Sequence, residues 1–381
     1  MLFNISEKEQ RGDVRPIGSP DPYTKQKLYV LDDPFGCIGE YQDENLLARR
    51  INRSAKISNF SASMDEICRK NGMMYKASFV QDQSKFSESD SMDKFKLTIK
   101  NSSLIIEGIK ETMLNTVDQM KNRLQHFPKI PKSARLTPEF LVSNLFIKGN
   151  AGWVQGMLNK SSTYIHILAT DYLCKLLKEN INSIKKFKDV KIEFNYLINS
   201  DDSIVFCSCN NEEAIKFSYD FIQEGKKMFC LKMNIKKSYL SYVVGEVIQK
   251  YECNGKTINV WPKECISSYN LINKIDLIKD CEGAVGQLNS LQKLGAPETA
   301  LIIVRKELRD LINRSYNIGP KKYINSEEID REMLPIELGG WPGKLTTYEI
   351  CSCGTFSQLT FLKNEIQKNL ENKVLTKENK I

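Results

Sequence analysis

The stretch KIEFNYLINSDDSIVF, residues 191–206, places two apolar runs on either side of a short polar turn. Every second residue from Ile192 to Ile198 is apolar, which is typical of one face of a β-strand, and Ile204–Phe206 is a second apolar run. We therefore predict two strands joined by a tight turn at Asn199–Asp202.

The segments around this unit predict an α+β chain with an antiparallel sheet built from residues around 77–82, 191–206 and 235–241. Residues 1–35 are polar, basic and interrupted by Pro and Gly, so they indicate loop and short strands rather than helix. Asn254-Gly255 lies between two strand-like runs, 246–253 and 256–261, and predicts a hairpin. We predict helices over residues 61–70, 104–127, 138–147, 158–177 and 212–229, and a mostly helical chain after Pro262.

The composition indicates a soluble globular chain with a modest positive charge. The 381 residues include 55 Lys and Arg against 47 Asp and Glu, a formal net charge of +8. This excess suits a polyanionic partner but does not identify one. No stretch approaches the ~20 consecutive apolar residues of a membrane span. The 11 Cys and 2 His lack the spacing of a zinc site, so we expect reduced thiols in an intracellular chain.

Two adjacent aspartates, Asp201 and Asp202, lie in the predicted turn, and Asp82 follows another predicted strand. Three carboxylates at strand ends would suit a pair of Mg²⁺ ions, because Mg²⁺ prefers hard oxygen ligands. Taken alone, however, two adjacent aspartates more often form a solvated turn. The surrounding sequence has to decide between these two interpretations.

Further polar segments accompany the aspartates in a fixed order along the chain. They are KEQRGDVR (8–15), DQSKF (82–86), GWVQGMLNKSS (152–162), Ser200-Asp201-Asp202, Lys236-Lys237-Ser238 and Glu246. This order resembles motifs F, A, B, C, D and E of viral RNA polymerases, over about residues 7–262. Ser-Asp-Asp at motif C resembles the segmented negative-strand viruses. The form of motif B, and the Glu ahead of the Asn-Gly hairpin, resemble the bunyavirus L polymerases.

The resemblance implies a metal site. Asp82 and Asp201 would be the principal ligands of two Mg²⁺ or Mn²⁺ ions, with Asp202 assisting. Glu246 would join them as the motif E glutamate, the alternative being an exposed strand carboxylate. Lys236 or Lys237 would be the motif D lysine, a candidate general acid for pyrophosphate, and we favour Lys237.

The resemblance also implies a nucleotide and template site. Arg can grip phosphate oxygens with two parallel hydrogen bonds, which suits a loop that receives a triphosphate. Phe86 stands where the family usually has Trp. His166, on the apolar face of the motif B helix, is expected to be a satisfied core histidine. The implied nucleotide- and template-binding residues are Lys8, Arg11, Arg15, Lys85, Gln155, Gly156, Asn159 and Ser200.

A right-hand polymerase fold is implied by the same resemblance. Residues 1–75 would be partial fingers with the motif F loop, and residues 76–245 the palm, whose antiparallel sheet is flanked by helices. The motif E hairpin would occupy 246–262, and a partial thumb with a mostly helical C-terminal segment 263–381. Polymerases of this group are several times longer, so we expect a fragment.

The implied function is RNA-directed RNA polymerase activity by a two-metal mechanism, in replication and transcription of a viral RNA genome. The implied partners are viral RNA template and product, ribonucleoside triphosphates and, through the full-length polymerase, the viral nucleoprotein, in the host cytoplasm and the virion. Two alternatives stay open. One is an inactive endogenous or truncated remnant that at most binds RNA. The other is an orthomyxovirus-like polymerase subunit, against which Gln155 argues because Met is usual there.

Overall fold

The chain forms two compact units, Met1–Ile258 and Asn259–Ile381, and contains both helices and strands, as the predicted α+β class requires. No helix in the part of the chain described below is long and apolar enough to cross a membrane. The computed structural model describes residues 1–10, 13–48, 52–84, 86–87, 90–127, 141–143, 146–149, 152–154, 157–248, 250–258, 260–268, 276–317, 321–324 and 327–330.

The elements follow one another in a simple order within each unit. The first unit contains β1 (Leu2–Gln10), β2 (Asp13–Pro20), α1 (Pro22–Gly39), α2 (Arg53–Lys70), β3 (Tyr75–Asp82), α3 (Met92–Asn101), α4 (Glu107–Lys121), β4 (Arg123–His126), β5 (Leu141–Ser143), β6 (Phe146–Gly149), α5 (Asn159–Asn180), β7 (Ile192–Asn199), β8 (Asp202–Cys209), α6 (Glu212–Met228), β9 (Tyr239–Ser241), β10 (Val244–Val247), β11 (Lys250–Cys253) and β12 (Lys256–Ile258). The second contains α7 (Trp261–Ser268), α8 (Leu277–Lys293), α9 (Glu298–Ser315), β13 (Lys321–Ile324) and β14 (Glu327–Asp330).

Strands β7, β8, β3 and β9 form an antiparallel sheet in that order. The β7–β8 hairpin pairs Asn199 with Asp202, so the predicted strand–turn–strand unit is confirmed, with Ser200 and Asp201 as its turn. β3 pairs with β8 along its length, and the register puts Asp82 directly opposite Asp202. The three segments expected to build the sheet do so, although β9 begins at Tyr239 rather than near residue 235.

This sheet is covered on both faces. Val205 of β8 packs in one core cluster with residues of α5 and α6, whereas Ile204 and Phe206 belong to a second cluster that includes Ile57 of α2. Successive side chains of a strand point to opposite faces, so β8 has to be apolar on both. That is the physical reason why Ile204–Phe206 is an unbroken apolar run.

The N-terminal segment differs from the prediction of loop and short strands without helix. Two strands are present, but Pro22–Gly39 forms helix α1. The Asp21 side chain accepts hydrogen bonds from the Thr24 backbone N–H at 2.9 Å and from the Thr24 hydroxyl at 2.9 Å. Pro22 occupies the first turn, where its missing N–H costs nothing. Pro22 therefore belongs to a helix N-terminus, and the prediction without a helix was wrong because we took the Pro and Gly residues of this segment as signs of loop.

The middle of the first unit contains strands where we predicted helix. The helix predicted over 104–127 spans Glu107–Lys121, and Arg123–His126 is strand β4. The helix predicted over 138–147 is wrong where it is described, because β5 and β6 lie there. These strands complete a sheet of order β2-β1-β4-β6-β5, which joins segments far apart in sequence. Pairing of this kind leaves a weak signal within any one short segment.

The Asn-Gly hairpin is confirmed. Asn254 and Gly255 adopt positive φ angles of 50° and 77° between β11 and β12. The strand predicted over 246–253 is divided, because β10 and β11 pair with each other as a second hairpin. The predominantly helical chain predicted after Pro262 is confirmed for the residues described between Pro262 and Ser315, and β13 and β14 follow as a hairpin.

Candidate metal and nucleotide site

The turn that carries the adjacent aspartates is held by helix α5. Ser200 has a φ of 57°, a left-handed conformation that a non-glycine residue adopts mainly in tight turns. Its backbone N–H donates to Thr163 Oγ1 at 2.9 Å, and its carbonyl oxygen lies 2.9 Å from His166 Nδ1. Both helix residues are fully buried, so the turn is attached to a rigid element.

Three carboxylates converge beside this turn. Oxygen atoms of Asp82, Asp201 and Asp202 all lie within 4.8 Å of one another, and each residue is partly buried. The β3–β8 register brings Asp82 opposite Asp202, and the tight turn carries Asp201 to the same place. The turn thus overcomes the tendency of neighbouring strand side chains to point to opposite faces.

The electrostatics of the cluster favour a cation. Burial, and then the charges of Asp201 and Asp82, raise the pKa of Asp202 to about 7, while Lys237 acts in the opposite direction. Like charges held together in a partly desolvated site repel one another, and a bound cation would relieve that repulsion. Mg²⁺ and Mn²⁺ fit this donor set because it consists of hard carboxylate oxygens.

Asp82 is braced by the segment between α6 and β9. The Asn234 side-chain amide donates to Asp82 Oδ2 at 3.1 Å, and the Asn234 backbone N–H donates to the Asp82 carbonyl at 2.8 Å. Ser238 Oγ accepts from the Asp82 N–H at 3.1 Å. We did not select Asn234 from the sequence. Its position two residues ahead of the paired lysines was the available signal, since Asn often directs turns through its own side chain.

The two candidate motif D lysines differ in their surroundings. Lys237 Nζ lies 3.7 Å from Asp82 Oδ2, and its side chain is 62% exposed. For Lys236, the structure gives a backbone contact, from its N–H to Asn234 Oδ1 at 3.2 Å. Of the two, Lys237 is the lysine whose side chain lies beside Asp82, and its role as the motif D lysine stays a prediction.

Glu246 lies on β10 opposite Tyr251, and is absent from the group of acidic residues within 4.8 Å among the described side chains. Partial burial and a hydrogen bond to Glu246 raise the pKa of Tyr251 to about 12. Glu246 also contributes, after burial, to the raised pKa of Tyr239. The half-buried Glu246 carboxylate therefore has tyrosine neighbours. Neither of the two interpretations made from the sequence, a metal ligand of motif E or an exposed strand carboxylate, included them.

Comparison with known proteins decides the family. The model of the family described as "Bunyavirus RNA dependent RNA polymerase" matches residues 59–329. The chain belongs to this family. The match includes the acidic cluster, Asn234 and Lys237, whereas the predicted motif F loop precedes it.

Individual relatives of the chain are distant, and all have the same printed name. RNA-directed RNA polymerase L of Bunyavirus La Crosse is 24% identical over 218 residues, 54% of this chain and 9% of that protein. The same-named proteins of bovine Schmallenberg virus and Bunyamwera virus are 22% and 20% identical over 208 and 207 residues, 52% and 51% of this chain. The matched region spans 9% of the length of each of these relatives.

Most predicted nucleotide-site residues lie partly or wholly outside the described structure. Lys8 and Arg15 face each other across the β1–β2 hairpin, where the backbone is described and the side chains are not. Arg11, Lys85, Gln155 and Gly156 lie outside the described residues.

The described part of motif B has a structural role around α5. Trp153 is buried, donates from Nε1 to Asp90 Oδ2 at 3.0 Å, and packs edge-on against Phe86 with ring centroids 5.8 Å apart. Asn159 begins α5, and its carbonyl accepts from the Thr163 hydroxyl at 2.6 Å. Thr163, whose hydroxyl oxygen accepts the hydrogen bond from the Ser200 N–H, therefore lies near the start of the helix that Asn159 begins.

Proposed function

We propose that this chain carries the nucleotidyl-transfer centre of an RNA-directed RNA polymerase, which adds ribonucleotides to an RNA 3′-hydroxyl under the direction of a template. The observation that carries the proposal is the convergence of Asp82, Asp201 and Asp202 within 4.8 Å at one end of the sheet. Membership of a polymerase family, and the printed name of the relatives, support the same chemistry.

In this proposal, Asp82 and Asp201 are the principal ligands of two divalent ions, Mg²⁺ or Mn²⁺, and Asp202 assists. When bound, such ions activate an attacking hydroxyl and stabilise a leaving pyrophosphate. The protein keeps the three carboxylates together despite their repulsion, through the β3–β8 register, the α5 contacts to Ser200 and the Asn234 brace. Glu246 on β10 is a further candidate ligand in this proposal, outside the group of three carboxylates within 4.8 Å.

The substrate would be held by positively charged and amide side chains. Lys237, beside Asp82, is the proposed proton donor to pyrophosphate. Positioning by such groups is the main contribution that a protein makes to phosphoryl transfer. The proposed nucleotide and template contacts are Lys8, Arg11, Arg15, Lys85, Gln155, Gly156, Asn159 and Ser200.

The right-hand architecture is part of the proposal. The sheet β7-β8-β3-β9 with α5 and α6 would be the centre of a palm over residues 76–245, and residues 1–75 would belong to the fingers. The sheet β10-β11-β12 falls largely within the proposed motif E hairpin at 246–262, and the helices after it would belong to a thumb over 263–381. The proposed setting is the host cytoplasm and the virion, with viral RNA, ribonucleoside triphosphates and the viral nucleoprotein as partners.

Primer extension by the full chain, with Mg²⁺ or Mn²⁺ and a short RNA template, tests the function. Asp201→Asn should abolish incorporation while leaving the thermal unfolding midpoint close to that of the unchanged chain. Asp220→Asn is the matched control, because Asp220 is exposed on α6. Undiminished extension by folded Asp201→Asn would contradict the assignment. RNA binding without any extension by the unchanged chain would favour the alternative of an inactive remnant.

A further inference from the structure

A buried lysine lies behind the turn that carries the aspartates. Lys226 of α6 has 0% of its surface exposed. Its Nζ lies 2.6 Å from Gln81 Oε1, 2.9 Å from His166 Nε2 and 3.1 Å from Ser203 Oγ. The lysine amino group therefore has three neutral polar groups as hydrogen-bond partners.

His166 connects this lysine to the turn. Its Nδ1 lies 2.9 Å from the Ser200 carbonyl oxygen, which can only accept a hydrogen bond, so Nδ1 carries the proton. Burial and the neighbouring Lys226 keep the pKa of His166 well below its usual value, so the ring is neutral. Nε2 is then an acceptor for Lys226, which thereby selects the ring form that donates to Ser200.

Each hydrogen-bond partner of Lys226 is connected, through the backbone or through one further contact, to one of the three aspartates. Gln81 directly precedes Asp82 on β3, and Ser203 directly follows Asp202 on β8. Gln81 and Ser203 are themselves paired across the β3–β8 register. Through His166 the same amino group is connected to Ser200, which precedes Asp201. One side chain on α6 thus contacts the backbone neighbours of the whole cluster, directly or through one ring.

Core stability alone is a poor explanation for this residue. Burying an ammonium is costly, and an apolar side chain of similar volume is often at least as stabilising in a core. The neighbouring positions on this side of the sheet are apolar, including Val205, Ile222 and Leu173 in the same cluster. A lysine here donates to Gln81 and Ser203, near the ends of β3 and β8, and to His166 of α5, which a methionine would not do.

We propose that Lys226, acting through His166, is a positioning residue that holds the Ser200 turn and the ends of β3 and β8 in the arrangement that binds divalent ions. The inference rests on the proposed function, because it assigns a role toward the metal site of that function. Groups that orient metal ligands, without being ligands themselves, typically change metal affinity by about 10- to 100-fold when they are removed.

The test compares Mn²⁺ binding by electron paramagnetic resonance in the full chain and its variants, together with the Mn²⁺ dependence of primer extension. Lys226→Met and His166→Leu should each weaken Mn²⁺ binding by about 10-fold or more. Lys227→Met is the matched control and should bind as the unchanged chain does, because Lys227 is the next residue on α6, half exposed and paired with Glu224. His166→Asn should bind better than His166→Leu, since its amide can still donate to Ser200.

The double variant Lys226→Met/His166→Leu should lose little more affinity than Lys226→Met alone, because His166 acts on the turn in series with Lys226. Folding is followed by thermal unfolding. If Lys226→Met does not fold, the comparison of His166→Asn with His166→Leu decides, and equal Mn²⁺ binding by these two would overturn the inference.

Asp201→Asn separates this inference from the proposed function. If Asp201→Asn abolishes Mn²⁺ binding while folded Lys226→Met and His166→Leu bind as the unchanged chain does, the inference fails and the metal site stands. If Asp201→Asn leaves Mn²⁺ binding unchanged, the proposed site fails and the inference falls with it.

Discussion

Asn234 has two contacts to the same aspartate, one from its side chain and one from its backbone N–H. The side-chain amide fixes the orientation of the Asp82 carboxylate, while the backbone contact fixes the end of β3. Asn234→Ala would keep the backbone contact and remove the orienting one. We expect incorporation to require a higher Mn²⁺ concentration, by about 10-fold, because the amide orients a proposed metal ligand without being one.

Metal titrations of primer extension measure this effect. Asn210→Ala is a suitable control, because its side-chain bonds to the 189–191 segment lie at the far end of β7 and β8. An unchanged Mn²⁺ requirement in Asn234→Ala would show that the side chain does not orient Asp82.

The paired lysines allow a second prediction at the scale of single residues. Lys237 Nζ lies 3.7 Å from Asp82 Oδ2, whereas the contact given for Lys236 is made by its backbone. A side chain that supplies a proton to a leaving group contributes about 10²- to 10⁴-fold to the rate. Lys237→Ala should therefore reduce the rate of single-nucleotide incorporation by about 10²-fold or more, and Lys236→Ala should reduce it much less. Rapid-quench measurements would contradict the assignment if the two variants ranked in the opposite order.

At the scale of elements, those that depend on neighbouring residues were predictable from the sequence, whereas strands that form by pairing with distant segments were not. The β7–β8 hairpin and the Asn254-Gly255 turn depend on neighbouring residues, so the pattern of the chain revealed both. Strands β4, β5 and β6 exist through pairing with distant segments, and we predicted helix in their place. The acidic cluster could be predicted because the order of the motifs along the chain was informative. The side chains that hold it, Thr163, His166 and Asn234, could not be predicted in the same way.

Lys226 illustrates the limit most clearly. In the sequence it is one of two adjacent lysines near the end of an amphipathic helix. The 3–4 spacing from Ser218 and Ile222 places it on the apolar face, but its hydrogen-bond partners cannot be read from that pattern. The packing of α6 against β3 and α5 buries one lysine completely and leaves the other half exposed. That difference depends on the angular position of each residue around the helix, and on polar acceptors contributed by other elements.

The burial of Lys226 also predicts how stability depends on pH. Burial lowers its pKa to about 7, from 10.5 in the unfolded chain. Between these values this lysine binds a proton in the unfolded state and not in the folded state, so its contribution to stability should rise with pH across this window. His166 is neutral across this window, whereas Cys174 and Asp202 act in the opposite direction, because burial raises the pKa of Cys174 from 9.0 to about 12 and that of Asp202 from 3.8 to about 7. Both groups remain in a variant that lacks Lys226, so the comparison of the two proteins isolates the lysine.

Urea unfolding at several pH values between about 7.5 and 9.5 measures this effect. The unchanged chain should gain up to about 1.4 kcal/mol per pH unit relative to Lys226→Met, in which this group is absent. Equal slopes in the two proteins would mean that the three acceptors keep Lys226 charged throughout the range.

At the scale of the whole molecule, the proposed site belongs to a single compact unit. Asp82, Asp201 and Asp202 lie within Met1–Ile258, as do the groups that hold them: α5, α6 and the segment with Asn234. The matched relatives are far longer, since the aligned region is 9% of their length. Assembling a metal site and retaining a template are therefore separable requirements. The first depends on the packing of one unit, whereas the second depends on an extended basic surface.

A chain shortened to residues 1–258 tests this separation. It should bind Mn²⁺ with an affinity close to that of the full chain, because the sheet, the α5 contacts to Ser200 and the Lys226 network are all retained. It should retain a primer–template RNA less well in filter binding, because the helices proposed as thumb are removed. Asp201→Asn in the shortened chain controls for adventitious Mn²⁺ binding. If the shortened chain has native-like circular dichroism but no Asp201-dependent Mn²⁺ binding, the second unit is needed to form the metal site. If the shortened chain retains RNA as well as the full chain does, the proposal that the second unit is a thumb is contradicted.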